Sequence, residues 1–221
     1  MIADNLAVIR DSLRRDDVVL IAVTKTQPVS VIREAYAAGL SVLGENRVLE
    51  AVEKAADLKD LPLEWHLIGH LQTNKVKQAV ALFSLIHSVD SERLAREIDR
   101  CAKVIGKIQD VLIQVNVAGE ESKSGIEPAQ AAELVRLVDS LPNLRLCGMM
   151  TIAPLYEDAA QTRPVFREMR SIFEQLREKV ADPEAFRWLS MGMTHDYRVA
   201  VEEGANMIRI GTGLFGARTA R

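Results

Sequence analysis

The sequence predicts a parallel (β/α)8 TIM-type barrel of the α/β class, preceded by an extra N-terminal helix. Eight short apolar runs alternate with longer segments whose apolar residues recur at helical spacing. The length of 221 residues fits such a barrel. No linker rich in Gly, Ser or Pro divides the chain, so residues 1–221 are expected to form a single domain. A doubly wound sheet is the less favoured alternative, because the chain does not split into two halves.

The predicted elements follow in chain order. The segment IADNLAVIRDSLRR, residues 2–15, is the extra helix. The helix before the seventh strand is the clearest, because residues 161–180 carry one apolar stripe opposite Arg and Glu. Elsewhere Ser91 is a candidate N-cap, Gly106 a stop, and Pro128 belongs to a first helical turn. The predicted strands cover residues 17–25, 40–44, 64–69, 84–89, 110–117, 144–150, 186–191 and 206–211.

Composition excludes several classes of function. Lys and Arg total 28 against 31 Asp and Glu, a net charge of -3, so no basic excess indicates nucleic acid or an anionic membrane. No apolar run approaches the ~18 residues of a membrane span, and the N-terminus has no signal-peptide core, so a cytoplasmic protein is expected. Cys101 and Cys147 are predicted to be buried thiols. No metal site is predicted, because ligand spacing is missing.

Lys25 ends the first apolar run, VVLIAVTK. In a barrel of this kind the chemistry lies where strands end and the following loops begin. A strand covered by two apolar layers offers no favourable place for an ammonium group. Two interpretations stay open: a surface lysine just past the strand, or a lysine whose pKa is lowered by partial burial and whose amine can form a Schiff base.

Two glycine-bearing segments follow the last two strands, residues 188–196 and 208–216. In (β/α)8 enzymes this pair of loops frequently binds a phosphate through backbone N–H groups and hydroxyls. Glycine lets the backbone approach such a ligand closely. The candidate residues are the hydroxyl-bearing Ser190, Thr194 and Thr212 and the glycines Gly192, Gly211 and Gly213.

Arg209 lies in the last predicted strand, between two isoleucines. Strand alternation places Met207 and Arg209 on one face, so the guanidinium is expected to point into the barrel near its mouth. One interpretation pairs it with a buried acid. The other places this permanent charge beside a heteroaromatic nitrogen, which it would keep unprotonated because two adjacent cations repel.

Asn46 and the histidines are further candidates. Asn46 follows the second strand and either hydrogen-bonds a ligand or caps the next helix, a role for which Glu45 is equally suitable. His66 and His87 lie inside predicted strands and are expected to be core histidines with hydrogen-bond partners. His70 follows a strand and is a candidate for a pocket.

Eight segments together resemble the YggS/PROSC family of pyridoxal 5′-phosphate (PLP) homeostasis proteins, over essentially the whole chain. They occur in the family's order: IAVTKTQP, LGENRVLEA, WHLIGHLQTNK, LIHSVDS, VLIQVNVAGEESKSG, GMMTIAP, LSMGMTHDY and IRIGTGLFG. The resemblance implies a barrel similar to the N-terminal domain of alanine racemase, with PLP as its cofactor and a Schiff base at Lys25.

The resemblance also implies the other contacts. Arg209 would face the pyridine nitrogen and Asn46 would lie beside the ring. The phosphate would lie on the turn formed by Ser190, Met191, Gly192 and Thr194, and on Gly211 and Thr212. The sequence departs from the family pattern at Thr194, where serine is common, and at Gly213-Leu214, where Ala-Ile is more frequent. Both changes keep a hydroxyl or a small residue.

The function implied is that of a PLP carrier or buffer in vitamin B6 homeostasis, without efficient catalysis, with apo-forms of PLP-dependent enzymes as possible partners. A low-activity fold-type III amino-acid racemase is the alternative. Racemases use a base on each face of the substrate, and Tyr156 is the only loop tyrosine that could serve as one. Because the chain contains no second domain to supply such a base, a non-catalytic monomer is expected. A third hypothesis is a barrel enzyme that forms an imine with a phosphorylated sugar or aldehyde, without PLP.

Overall fold

The strands of the protein close into a parallel barrel. The structure is a computed structural model that describes residues 1–13, 15–120 and 123–216. Neighbouring strands pair in chain order and the eighth pairs with the first. The bounds are β1 Val19–Val23, β2 Val42–Glu45, β3 Glu64–Leu67, β4 Leu85–Val89, β5 Gln109–Gln114, β6 Leu144–Met150, β7 Trp188–Met193 and β8 Met207–Ile210. The predicted fold class is confirmed.

Helices connect consecutive strands on the outside of the barrel. Their bounds are α1 Ile2–Leu13, α2 Val29–Ala37, α3 Val48–Asp57, α4 Val76–Leu82, α5 Glu92–Val104, α6 Ala131–Asp139, α7 Arg163–Arg177, α8 Tyr197–Glu202 and α9 Thr212–Phe215. The predicted first helix included Arg14, and the predicted domain included residues 217–221; these lie outside the described residues. None of the helices in the described ranges is long and apolar enough to cross a membrane.

The helix ends test the predicted caps. Ser91 caps α5, since its hydroxyl accepts a hydrogen bond from the Leu94 N–H at 3.3 Å. Pro128 begins a short 3-10 turn, Pro128–Gln130, that leads into α6. The prediction that Asn46 or Glu45 caps the helix after the second strand is wrong: α3 begins after Arg47 and has no side-chain cap.

Two apolar clusters build the core. The larger lies between the strands and the surrounding helices. The smaller fills the barrel interior and consists of Ile21, Leu85, Leu112, Cys147, Met150 and Met207. Both cysteines are buried free thiols, as predicted. Because the interior is a packed core, the polar side chains that enter it need partners there.

Candidate functional site

The carboxyl ends of the strands meet at one rim of the barrel, which carries the candidate residues. Lys25 lies in the turn directly after β1 and is half-buried, and Asn46 follows β2. Thr194 follows β7, and Gly211 follows β8. Parallel closure of the sheet places all four at the same end of the barrel.

The backbone on both sides of Lys25 is fixed by charged side chains. The Lys54 ammonium donates a hydrogen bond to the Thr24 carbonyl at 2.6 Å. The Thr26 N–H donates to Glu50 Oε1 at 2.6 Å. Thr26 has a φ of 65°, in the left-handed region that side chains with a branched Cβ rarely adopt. The Lys25 turn is therefore held in an uncommon backbone conformation.

We call the charged groups behind this turn the Lys54 cluster; it consists of Lys54, Glu45 and Glu50. The Lys54 ammonium lies 2.7 Å from a carboxylate oxygen of each partner, and the Thr24 hydroxyl also donates to Glu45 at 2.7 Å. Burial raises the pKa of Glu45, although hydrogen bonds from Lys54 and Thr24 oppose this. For Glu50, burial is outweighed by hydrogen bonds from Lys54 and the Thr26 N–H, and its pKa is lowered.

Sequence analysis missed Lys54. Two signals in the sequence point to it: Glu50 and Lys54 have the i,i+4 spacing of a helical ion pair, and Glu45 ends an apolar strand where a carboxylate needs a partner. Neither signal shows that the pair reaches under the Lys25 turn.

Thr194 ties together the two glycine-bearing segments. Its hydroxyl oxygen accepts hydrogen bonds from the N–H groups of Gly213 at 3.2 Å and Gly211 at 3.4 Å. In the first segment Gly192 has a φ of 91°, and a Cβ there would lie 2.6 Å from the Ala200 Cβ. The last residues of β7 therefore require glycine at position 192.

Two other residues of the predicted phosphate turn have side chains directed elsewhere. The Met191 side chain is fully buried in the outer cluster, between strands and helices. The Ser190 hydroxyl contacts Arg209 and His87 inside the barrel rather than the rim turn. Only the backbone of these two residues remains available to a ligand on the turn. Thr212, the first residue of α9, is exposed.

A chain of hydrogen bonds crosses the barrel interior. We call it the histidine relay; it consists of Arg209, Ser190, His87, His66 and Glu64. Arg209 Nη1 donates to Ser190 Oγ at 2.6 Å, and Ser190 Oγ lies 3.1 Å from His87 Nδ1. His87 Nε2 lies 3.1 Å from His66 Nδ1. His66 Nε2 lies 2.9 Å from Glu64 Oε1. The expectation that both histidines have partners in the core is met.

The charge on Arg209 has no contacting carboxylate among the described residues, so the ion-pair interpretation is not supported. Besides Ser190, the guanidinium donates to the Thr151 carbonyl at 2.8 Å. Burial lowers the pKa of Arg209 to about 10, against the opposing charge of Asp196. Burial, followed by the charges of His66 and Arg209, lowers the pKa of His87 well below its ordinary value.

Asn46 has an unused acceptor. Its amide oxygen is buried and has no hydrogen-bond partner within the described residues. Gly69 packs against its backbone, since a Cβ on Gly69 would lie 2.4 Å from the Asn46 carbonyl oxygen. Asn46 and His70 both line a cavity of about 500 Å³. His70 was expected in a pocket, and its place in the lining of this cavity agrees with that. Its side chain is more than half exposed, and its Nδ1 lies 3.8 Å from Asp90 Oδ2.

Two further rim residues lie in loops. Tyr156 follows β6 and is 36% exposed. Lys123 donates to the Ala153 carbonyl at 3.0 Å and forms an ion pair with Glu120. Within the part of the chain that the structure describes, no three His, Cys, Asp or Glu residues cluster as a metal site would require.

Comparison with known proteins gives consistent matches over the whole barrel. Residues 1–219 match the family described as alanine racemase, N-terminal domain. A pyridoxal phosphate homeostasis protein of Aquifex aeolicus is 51% identical over 201 residues, covering 90% of this chain and 86% of the relative. The Pseudomonas aeruginosa protein of that name is 43% identical and covers 98% and 96%. The structure of PipY of Synechococcus elongatus with PLP bound superposes with a TM-score of 0.90 at 43% identity, covering 98% and 100%.

Proposed function

Because this chain belongs to the pyridoxal phosphate homeostasis protein family, we propose that it binds PLP at the carboxyl rim of its barrel, through a Schiff base to Lys25, and holds it for delivery in the cytoplasm rather than for catalysis. Apo-forms of PLP-dependent enzymes are the proposed recipients. A single domain acting as a monomer is sufficient for this role.

The observation that carries the proposal is the Lys25 turn. Lys25 follows a buried strand, is half-buried, and has its backbone held on one side by Lys54 and on the other by Glu50. A fixed backbone limits the positions that the amine can reach, which favours reaction at one place on a bound partner. PLP supplies an aldehyde that condenses with a primary amine with loss of water.

The other rim residues fit the remaining parts of PLP. The N–H groups of Gly211 and Gly213 converge on Thr194, and we assign the phosphate to this turn together with Thr212 and the backbone from Ser190 to Thr194. The buried, unpartnered amide oxygen of Asn46 is available to a ligand group that donates a hydrogen bond. The guanidinium of Arg209 is the group assigned to the pyridine nitrogen.

The charge on Arg209 favours a carrier over a catalyst. A permanent cation beside the pyridine nitrogen disfavours its protonation, and an unprotonated ring withdraws electrons less strongly. Two other lysines near the rim are engaged: Lys54 with two carboxylates, and Lys123 with Glu120 and the Ala153 carbonyl. Both ammonium groups are therefore already bonded within the protein.

Borohydride reduction followed by peptide mass spectrometry tests the attachment. We expect one pyridoxyl adduct, on Lys25, which Lys25→Ala abolishes while weak binding through the phosphate turn remains. Lys75→Ala is the matched control, because Lys75 lines the cavity that Asn46 and His70 also line; it should keep the Lys25 adduct. A dominant adduct on Lys75, Lys77 or Lys123 in the wild-type protein would refute the assignment.

A second experiment separates the carrier from the racemase. Wild type and Tyr156→Phe are assayed for exchange of the α-proton of alanine and serine, and for transfer of PLP to an apo-enzyme. We expect negligible exchange in both and intact transfer. A positioned base contributes a rate factor of roughly 10²–10⁴, so strong exchange that collapses in Tyr156→Phe would favour the racemase.

A further inference from the structure

The histidine relay links two pairs of strands that lie on different sides of the barrel and are not hydrogen-bonded to each other. His66 and His87 lie on the neighbouring strands β3 and β4, whereas Ser190 and Arg209 lie on β7 and β8. The contact between His87 and Ser190 therefore spans the interior. All four residues are at most 3% exposed, and only Glu64, at the amino end of β3, reaches solvent.

The chemistry of the donors gives the relay a direction. Arg209 can only donate, so Ser190 Oγ accepts from it and has one hydrogen left to give. Among the described residues, the only other side chain bonded to that hydroxyl is His87, whose Nδ1 then accepts. His87 carries its hydrogen on Nε2 and donates to His66 Nδ1, and His66 donates from Nε2 to the Glu64 carboxylate. Every group is satisfied with both histidines neutral.

We propose that His87 is a positioning residue, locked as the neutral Nε2–H tautomer, which through Ser190 fixes the orientation of the Arg209 guanidinium at the cofactor site. The proposed positions of the hydrogens involve protein groups only and do not depend on bound PLP. The consequence for PLP rests on the proposed function, because it requires that Arg209 faces the pyridine ring.

The reversed relay is less favourable. If His87 donated from Nδ1 to Ser190, the serine hydrogen would have no acceptor among its described contacts, and His66 would have to be a cation to bond both His87 and Glu64. That cation would enter an interior that already holds the charge of Arg209, with Asp196 and Glu64 as the nearby acids. Burying a second cation there is costly.

Nitrogen NMR of the PLP-free protein tests the proton arrangement directly. With ¹⁵N-labelled histidine at pH 7.5, we expect His87 to show the neutral Nε2–H tautomer. His66 should carry a hydrogen on Nε2 and accept a hydrogen bond at Nδ1. An Nδ1–H tautomer or an imidazolium at His87 would overturn the proposal. Because no PLP is present, this result is independent of whether the chain binds PLP.

Variants test the consequence at the cofactor site. His87→Leu removes both hydrogen bonds, and we expect roughly tenfold weaker PLP binding and a shifted pH dependence of the absorbance of bound PLP. His87→Gln can accept from Ser190 and donate to His66, so it should restore both properties. Ser88→Ala is the control: this buried hydroxyl on the same strand has no partner in the described parts of the chain. Equal losses in His87→Leu and His87→Gln, or none in either, would refute the positioning role.

Discussion

The Lys54 cluster and the histidine relay both place polar side chains below the rim of the barrel. They differ in whether the buried groups contact one another as charged or as neutral partners. In the cluster, one ammonium contacts two carboxylates at 2.7 Å, and Glu45 is fully buried. In the relay, the charges of Arg209 and Glu64 are kept apart by three groups that hydrogen-bond without a net charge.

The two regions also hold different parts of the protein in place. The Lys54 cluster fixes backbone: Lys54 bonds the Thr24 carbonyl and Glu50 bonds the Thr26 N–H. The relay orients one side chain, Arg209. Breaking a buried ion pair leaves an uncompensated charge, whereas breaking a neutral hydrogen bond leaves only an unsatisfied dipole. The two regions should therefore differ in how strongly substitution affects stability.

The largest effect is expected from Lys54→Met. This variant leaves the buried Glu45 carboxylate without its cation and the Thr24 carbonyl without its donor, so the free energy of unfolding should fall by about 3–5 kcal/mol. Arg33→Met is the matched control, because its ion pair with Asp60 is exposed and should contribute less than about 1 kcal/mol. Urea unfolding followed by circular dichroism measures both.

A double variant shows whether the loss of stability in Lys54→Met arises from the unpaired Glu45 carboxylate. In Lys54→Met with Glu45→Gln, the carboxylate that lost its partner is itself neutral, so the double variant should be more stable than Lys54→Met alone. If the two losses simply add, Lys54 acts through packing or through Thr24, and the contrast with the relay disappears.

A smaller effect is expected from pH at the relay. The pKa of His87 is lowered in the folded protein, so the unfolded chain binds the proton more tightly. The stability contributed by the neutral histidine is fully present above the unfolded pKa of about 6.5 and is lost as pH falls toward the folded pKa. Below about pH 6.5 this one group therefore makes the free energy of unfolding fall as pH falls, with a slope of at most about 1.4 kcal/mol per pH unit.

His87→Gln isolates this contribution, because glutamine does not titrate. The wild-type free energy of unfolding should fall more steeply than that of the variant below about pH 6.5, whereas the two should run parallel above pH 7.5. Parallel curves throughout would mean that His87 is protonated in the folded state as readily as in the unfolded chain. That outcome contradicts a relay built from neutral histidines.

The fold could be predicted closely because each strand and helix is encoded locally. All eight predicted strands are present, with ends shifted by a few residues, and Ser91 caps its helix as predicted. The cap after β2 is absent because the Glu45 carboxylate is engaged by other side chains, and the buried amide oxygen of Asn46 has no partner among the described residues. Glu45 bonds the Thr24 hydroxyl and the Lys54 ammonium rather than a backbone N–H at the start of α3.

The places of the candidate residues in the fold were predictable from the sequence, but their hydrogen-bond partners were not. Strand ends and alternation place Lys25 at the rim and Arg209 inside the barrel without any tertiary information. His87 and Ser190 are 103 residues apart, and only closure of the barrel brings them together. The sequence analysis assigned the Ser190 hydroxyl to the phosphate because Ser190 precedes a glycine-bearing turn. In the structure this hydroxyl instead contacts Arg209 and His87 inside the barrel.

The smallest effect is expected at Thr26, and it tests whether contacts or strain hold the Lys25 turn. Thr26→Gly removes the cost of a branched Cβ at a φ of 65°, which should offset the entropy that glycine adds to the unfolded chain and stabilise the protein by up to about 1 kcal/mol. Gln27→Gly, one residue later, relieves no such strain and should destabilise by about 0.5–1 kcal/mol. Because Thr26→Gly keeps the N–H that bonds Glu50, the rate of pyridoxyl labelling at Lys25 should not change. A slower rate in this variant alone would show that the threonine conformation, rather than the Lys54 cluster, positions the amine.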